Sequence, residues 1–467
     1  MADTYTVTSA SELQTALTLV ASGGTILLQP GNYGALDISN RDFTSFVTLR
    51  SADLQNRAVM TAVTLNNASF IRLDGLHVSS GSNGAPGSKI MQIINRSRNI
   101  EIINCEVNGL VDGNFDGHYG IYVDHSDVVS LYNNNVHDVH DGIVAFSVRD
   151  FVVRENFVDY VGSDNFKFGG LTGVLIENNT GGGNLFANAG AHADFMQFQA
   201  ATRDAVIRGN VFLAQNSERP QGIFMGSDFL QRNILIENNI IYSGKSNAIR
   251  IKQGTDIIVR NNTLLTTPWL GHESANIRVP PGSIVENNIS TASEGRYSGS
   301  NIIAQYDDPG DIYYYGDLFL NAFAGPGIRP EDLRPVPGSP AATTGAWTRL
   351  QELLNARPGP ETAPETAPGT SPPPEVPAAP ASDPTAVPAA EDKAGYSDGP
   401  SDFYPRLAAV KCSTGAAATD WTSQQVFFAY GEAGWFENSS AGTRAEVRAE
   451  TALFDAVLIP PAGDFLA

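Results

Sequence analysis

GIYV at residues 120–123, DGIVAF at 141–146, SDNFKF at 163–168, HADFMQF at 192–198, QGIFMG at 221–226, NAIRIK at 247–252 and ANIRV at 275–279 are one pattern met seven times. Each holds an apolar-x-apolar triplet and is trailed by a turn, a second apolar pair and an Asn. The trailing pieces are SLYNN, VRENF, IENN, IRGN, IENN, VRNN and VENN, closing on Asn134, Asn156, Asn179, Asn210, Asn239, Asn262 and Asn288. Alternation with period two marks strands, and the runs are too short for helices. A return of roughly 22 residues, with two longer coils near 30, is the signature of a repeat architecture. The reading is a coiled ladder of parallel strands in which each Asn stacks on the next. Asn tolerates the left-handed conformation of a tight corner, and its amide can bond to the Asn above and below.

Alternation also fixes direction, because successive side chains on a strand point to opposite faces. With the flanking members inside, the core pairs are Ile121/Val123, Ile143/Ala145, Phe166/Phe168, Met196/Phe198, Ile223/Met225, Ile249/Ile251 and Ile277/Val279. The middle residues then form an outward column: Tyr122, Val144, Lys167, Gln197, Phe224, Arg250 and Arg278. One step further lie Asp124, Phe146, Gly169, Gln199, Gly226 and Lys252. Just ahead of the triplets, successive coils place Asp141, Asp164 and Asp194 at equivalent positions, with His192 nearby. With strands about 4.8 Å apart, this outer face carries cations, amides and aromatic rings within the span of a few sugars. Arg forks suit a carboxylate and the rings suit stacking. An acidic polysaccharide is therefore the expected ligand.

Along its whole length the chain reads as five segments. Residues 1–34 form an N-terminal cap, with a capping box at Ser9 and Glu12 and a helix face of Leu13, Ala16, Leu17 and Val20. Residues 35–345 are the coiled ladder and 346–357 a short closing helix. Residues 358–392 are a Pro/Ala-rich spacer, extended and semi-rigid. Residues 393–467 recover aromatics sufficient for a small module that serves attachment or oligomerisation. The net charge of −21 excludes generic binding to nucleic acid or to anionic membrane. No stretch is apolar over a membrane-spanning length, and MADTYTVTSASEL lacks a secretory pattern. Cys105 and Cys412 fall in different segments, so no disulfide is expected.

The arrangement LQTAL…GGTILLQPGNY resembles the start of right-handed parallel β-helix proteins of the pectate-lyase-like superfamily, and PGSPA…G near residue 345 resembles their ending. That resemblance implies an all-β fold: a single-stranded right-handed parallel β-helix. Arg250-Ile251-Lys252 is similar to the RIK motif of polygalacturonase-type hydrolases, where the Arg and Lys grip a substrate carboxylate. By that resemblance Asp164 and Asp194 are catalytic candidates, and for β-elimination or C5 epimerisation of a uronate Lys167 and His192 join them, Lys167 to neutralise or abstract and His192 to donate. Tyr122, Gln197, Gln199, Phe224, Arg250, Lys252 and Arg278 are the substrate-binding ones. The chain departs from that motif set: the paired Asp is missing, and QGIFMG stands where the family has GHG.

No metal site is read from spacing. Calcium enters only through the resemblance to β-helix lyases, with Asp164, Asp194 and Asn165 as the ligands. Two functions follow. In one, the protein is a phage or phage-like tail fibre or spike that recognises, or recognises and depolymerises, a cell-surface acidic polysaccharide. It would be a homotrimer, attached to virion proteins through its C-terminal module and located on the virion or extracellular surface. In the other, it is a bacterial polysaccharide lyase, hydrolase or C5-epimerase acting on uronate-containing glycans.

Overall fold

The computed structural model describes residues 3–113, 116–182, 193–214, 220–270, 274–293, 300–325 and 327–356, and four strands between Phe427 and Ile459. Contacts divide the chain into two compact units, Met1–Glu365 and Thr366–Ala467. The first is a solenoid of three parallel sheets of 12, 12 and 11 strands, each built from every third strand of the chain. The first sheet runs from Thr4–Val7 to Ile284–Glu286 and the second from Gly31–Asn32 to Ile302–Ile303. The third runs from Ala35–Ser39 to Ala292–Ser293. In the second unit, strands Phe427–Phe428, Gly434–Asn438, Thr443–Glu450 and Leu453–Ile459 form one antiparallel sheet. The spacer at 358–392 lies outside the described residues. Among those described, no helix is long and apolar enough to cross a membrane.

Short apolar-x-apolar triplets fill the solenoid because the lumen takes one residue in two. Of the expected core pairs, every member from Ile121 to Ile277 is at most 2% exposed, and Val279 packs partly buried at the end. The Asn column forms an unbroken ladder from Asn134 to Asn301. Each side-chain Nδ2 donates to the Oδ1 of the next Asn at 2.9–3.0 Å, and that Oδ1 also accepts the backbone N–H one coil back. A third bond runs from each Nδ2 to a carbonyl of the preceding strand, such as Asn210 to Ile176 at 3.1 Å. The corner conformation belongs to the residue before. Asn133, Glu155, Asn178, Gly209, Asn238, Asn261 and Asn287 carry φ between 52° and 64°. The expectation gave one Asn both duties, whereas the chain divides them. A stacking side chain needs a backbone that continues the ladder, and the left-handed bend needs a separate position.

The helix Ala10–Leu19 sits over the first coil, with Leu13 and Ala16 buried. Its capping box is altered. Ser9 Oγ accepts the Glu12 N–H at 3.3 Å, but the Glu12 carboxylate reaches back to the Thr8 N–H at 2.7 Å instead of to Ser9. At the other end, residues 302–356 fold over the outer face of the second sheet. Val211, Leu213, Ile240, Tyr242 and Leu265 meet Tyr315, Leu318, Phe319, Leu333 and Leu350 in a second apolar cluster. Arg349, in the helix Trp347–Ala356, donates to the Gly209 carbonyl at 2.7 Å. This closing segment uses up the outer face of the second sheet's later coils and leaves the outer faces of the first and third sheets as the candidate working surfaces.

Candidate functional site

The outward column of the third sheet is continuous and in register: Gln92, Tyr122, Val144, Lys167, Gln197, Phe224, Arg250 and Arg278 are direct neighbours from strand to strand. Tyr122, Gln197, Phe224, Arg250 and Arg278 are half-buried. The rings are engaged by cations at both ends. Lys89 Nζ lies 5.0 Å from the centroid of Tyr122, and the Arg250 guanidinium lies 6.0 Å from that of Phe224. Gln199 Nε2 donates to Gln197 Oε1 at 2.7 Å, and Arg278 Nη1 to Asn247 Oδ1 at 2.9 Å. Lys252 pairs with Asp228 at 2.9 Å. Seven of the residues expected to bind substrate thus share one face: Tyr122, Gln197, Gln199, Phe224, Arg250, Lys252 and Arg278.

The acidic candidates lie elsewhere in kind. Asp141, Asp164 and Asp194 do occupy equivalent positions, joined by backbone bonds: Asp164 N–H donates to Asp141 Oδ1 at 3.0 Å and Asp194 N–H to Asp164 Oδ1 at 2.9 Å. All three are at most 1% exposed. The expected carboxylate face open to a glycan is therefore a buried ladder flanking the column. Lys167 is bent onto it, 6% exposed, with Nζ 3.2 Å from Asp141 Oδ2 and 3.5 Å from Asp164 Oδ2. His140 Nδ1 stands 3.3 Å from Asp141 Oδ2. His192 lies outside the described residues. His118 is buried and held by Ser88 Oγ at 2.6 Å and the Ser82 carbonyl at 3.2 Å.

One ammonium between two buried carboxylates cannot satisfy both as anions, since a net negative charge in a low-dielectric interior is strongly disfavoured. Burial alone would lift Asp141, but the Lys167 ammonium and His140 hold its carboxyl below the usual range. Asp164 goes the other way. Burial, with Asp141 and Asp194 adding to it against the pull of Lys167, pushes its carboxyl up to about 8. Burial would lower Lys167, but Asp141 and Asp164 hold it above its ordinary value, so it stays charged.

This arrangement does not suit an inverting hydrolase. Such an enzyme needs an acid and a base about 6.5–9.5 Å apart with a water between them, whereas Asp141 and Asp164 face backbone N–H groups and a lysine. Nor does it suit calcium at Asp164, Asp194 and Asn165. The Lys167 ammonium takes the place beside Asp164 that a cation would need, and Asn165 Nδ2 donates to Val158 and Gly182 carbonyls. Among the described residues no group of three His, Cys, Asp or Glu is arranged to hold a metal. Lys89 and Gln92 join the face without having been expected. KIMQIIN at residues 89–95 belongs to the less regular upstream coils; alternation alone would have placed Gln92 outward, whereas Lys89, three residues earlier, stands exposed at the start of the strand.

The family described as "Right handed beta helix region" matches residues 90–264. The first unit has the right-handed parallel β-helix fold. Among solved structures it is similar to an alginate lyase from Paenibacillus sp. str. FPU-7, at 16% identity over 64% of this chain and 99% of that one, with a TM-score of 0.37. It is also similar to the pectate lyase Pel9A, at 14% identity over 74% and 90%, TM-score 0.38. A third is a PL6 family polysaccharide lyase from Pseudopedobacter saltans, at 14% identity over 73% and 99%, TM-score 0.36. No curated protein matches the chain.

Proposed function

We propose that the outward column of the third sheet, from Tyr122 to Arg278, is a binding groove for an acidic polysaccharide. The observation that carries this reading is the register of Arg250 against Arg278. Like charges directly opposite on neighbouring strands are destabilising. On the first sheet, by contrast, Arg154, Glu177, Arg208, Glu237, Arg260 and Glu286 alternate strictly. A pair of guanidinium forks beside an aromatic ring suits a uronate: the forks meet its carboxylate and Phe224 offers its sugar a stacking face.

Recognition is the reading favoured over cleavage, because Asp141, Asp164 and Asp194 are at most 1% exposed. Titrating the protein with alginate and with pectate tests it, with unsaturated uronate and reducing ends read in parallel. Binding that vanishes in Arg250→Ala while neither product forms supports a recognition groove. Product formation by the wild-type chain would establish the alternative, a polysaccharide lyase or hydrolase. Binding unchanged in both Arg250→Ala and Arg278→Ala would remove the groove altogether.

A further inference from the structure

The first sheet carries a surface that the groove does not use. Its outward central column reads Val152, Leu175, Val206, Leu235, Ile258 and Ile284, in register strand to strand. The first five are half-buried and Ile284 is 51% exposed. An aliphatic stripe six rungs long is contiguous, unlike the scattered apolar residues of an ordinary surface, and such patches mark interaction sites. Beside it runs the alternating charge ladder Arg154, Glu177, Arg208, Glu237, Arg260 and Glu286. Within the chain these residues pair along the ladder, Arg208 with Glu177 at 2.6 Å and Arg260 with Glu237 at 2.8 Å.

We infer that this face pairs with the same face of a second copy of the chain, the two solenoids running antiparallel about a two-fold axis that lies along the strands. The charge order suits a second copy of this chain in that direction. Six alternating charges reversed upon themselves place Arg154 opposite Glu286, Glu177 opposite Arg260 and Arg208 opposite Glu237, when the axis passes between the coils of Arg208 and Glu237. Every facing pair is then of opposite sign. A parallel pairing would instead set this ladder against the strand starts at equal height, which carry Arg149, Arg203 and Arg232 as well as Asp150, Asp204 and Asp256. The antiparallel arrangement has one repulsive relation of its own, Arg203 opposite Arg232, which lies at the rim of the stripe where water screens it.

Six rungs at about 4.8 Å by about six residues at 3.3 Å give a flat face of roughly 600 Å² per copy. That is near the lower end of what a specific interface buries, so a concentration-dependent monomer–dimer equilibrium is expected. An antiparallel pair also sends the closing ends of its two solenoids in opposite directions, which suits a free protein and not a trimeric spike. The inference stands on the first sheet alone and is independent of the groove.

Sedimentation velocity on the full chain across a concentration series tests it. The expected result is a species of dimer mass that grows with concentration and is lost in Leu235→Glu, an outward position. A monomer throughout, or a trimer, overturns the proposal, as does a dimer that persists in a folded Leu235→Glu variant. Should that variant fail to fold, crosslinking decides. In a Cys412→Ser background, the double variant Arg154→Cys/Glu286→Cys is expected to form covalent dimers on mild oxidation, and each single variant is not. Equal crosslinking by the single variants, or none by the double, overturns the antiparallel register.

Discussion

Lys167 Nζ lies 3.2 Å from Asp141 Oδ2 and 3.5 Å from Asp164 Oδ2, so a residue at an outward position of the third sheet spends its charge on a buried ladder beside it. The partners come from two coils, and their carboxylates in turn receive the backbone N–H groups of the following ladder residues. Breaking such a pair from one side leaves an uncompensated charge. Lys167→Met is expected to lower stability by about 3–5 kcal/mol, read as a shift in the urea midpoint. A loss under about 1 kcal/mol would mean that the cluster is solvated and that Lys167 is available to a ligand.

The same cluster sets a pH dependence. Asp164 would release its proton near 3.8 in the unfolded chain but near about 8 in the fold. Between those values the folded state holds a proton that the unfolded state has lost. Its contribution is therefore full below the lower value, shrinks as pH rises, and is gone once pH passes the upper one. Asp141, held low, acts oppositely: its contribution is present above the ordinary carboxylate range and is lost as pH falls through it. Asp164→Asn keeps the acceptor for Asp194 and removes the titration. Unfolding curves at pH 5 and pH 8 should show the wild type losing stability between them and the variant losing less. Parallel behaviour of the two would disprove the assignment.

The Asn ladder and its corner residues are expected to differ sharply in tolerance. Asn239 donates to Asn262 and to the Ile207 carbonyl, and accepts the Asn210 N–H. Asn239→Ala strands several buried polar groups at about 1–3 kcal/mol each, so a multi-kcal loss is expected in urea unfolding. Asn238, at φ 55°, needs only a residue that accepts the left-handed region, and Asn238→Gly should change stability by less than about 1 kcal/mol. Equal losses at the two positions would refute the division of labour between them.

How much of this was legible in the sequence depended on whether a feature was local. The triplets gave the fold, because period-two alternation is written into each strand and a lumen that admits one face must bury Ile121 and Val123 alike. The Asn column was legible because its spacing repeats, although which Asn bends and which stacks was not, since both stand side by side as NN. The Asp ladder was legible as a column but not as buried. A residue at or just ahead of the start of a strand sits beside a corner, and its cover comes from other coils. Lys167 shows the same gap. Alternation places it outward correctly, and only the contact with Asp141, 26 residues earlier, turns it away from solvent. Chemistry assembled between coils leaves little trace in any one of them.

Val128 offers the last test, because it breaks a pattern that its neighbours keep. Near the start of successive first-sheet strands the backbone is left-handed: Asn99, Val128, Asp150, Asp204, Asn233 and Asp256 have φ between 52° and 59°, and Gly173 has 69°. Asn, Asp and Gly adopt this region readily, whereas a β-branched side chain there is strained. Val128 is also 46% exposed, so its side chain gains little from packing. Val128→Asn is expected to stabilise the protein by about 1 kcal/mol, seen as a higher urea midpoint with an unchanged slope. Destabilisation instead would show that Val128 makes an apolar contact worth more than its backbone strain, and would mark that end of the first sheet as part of a covered surface.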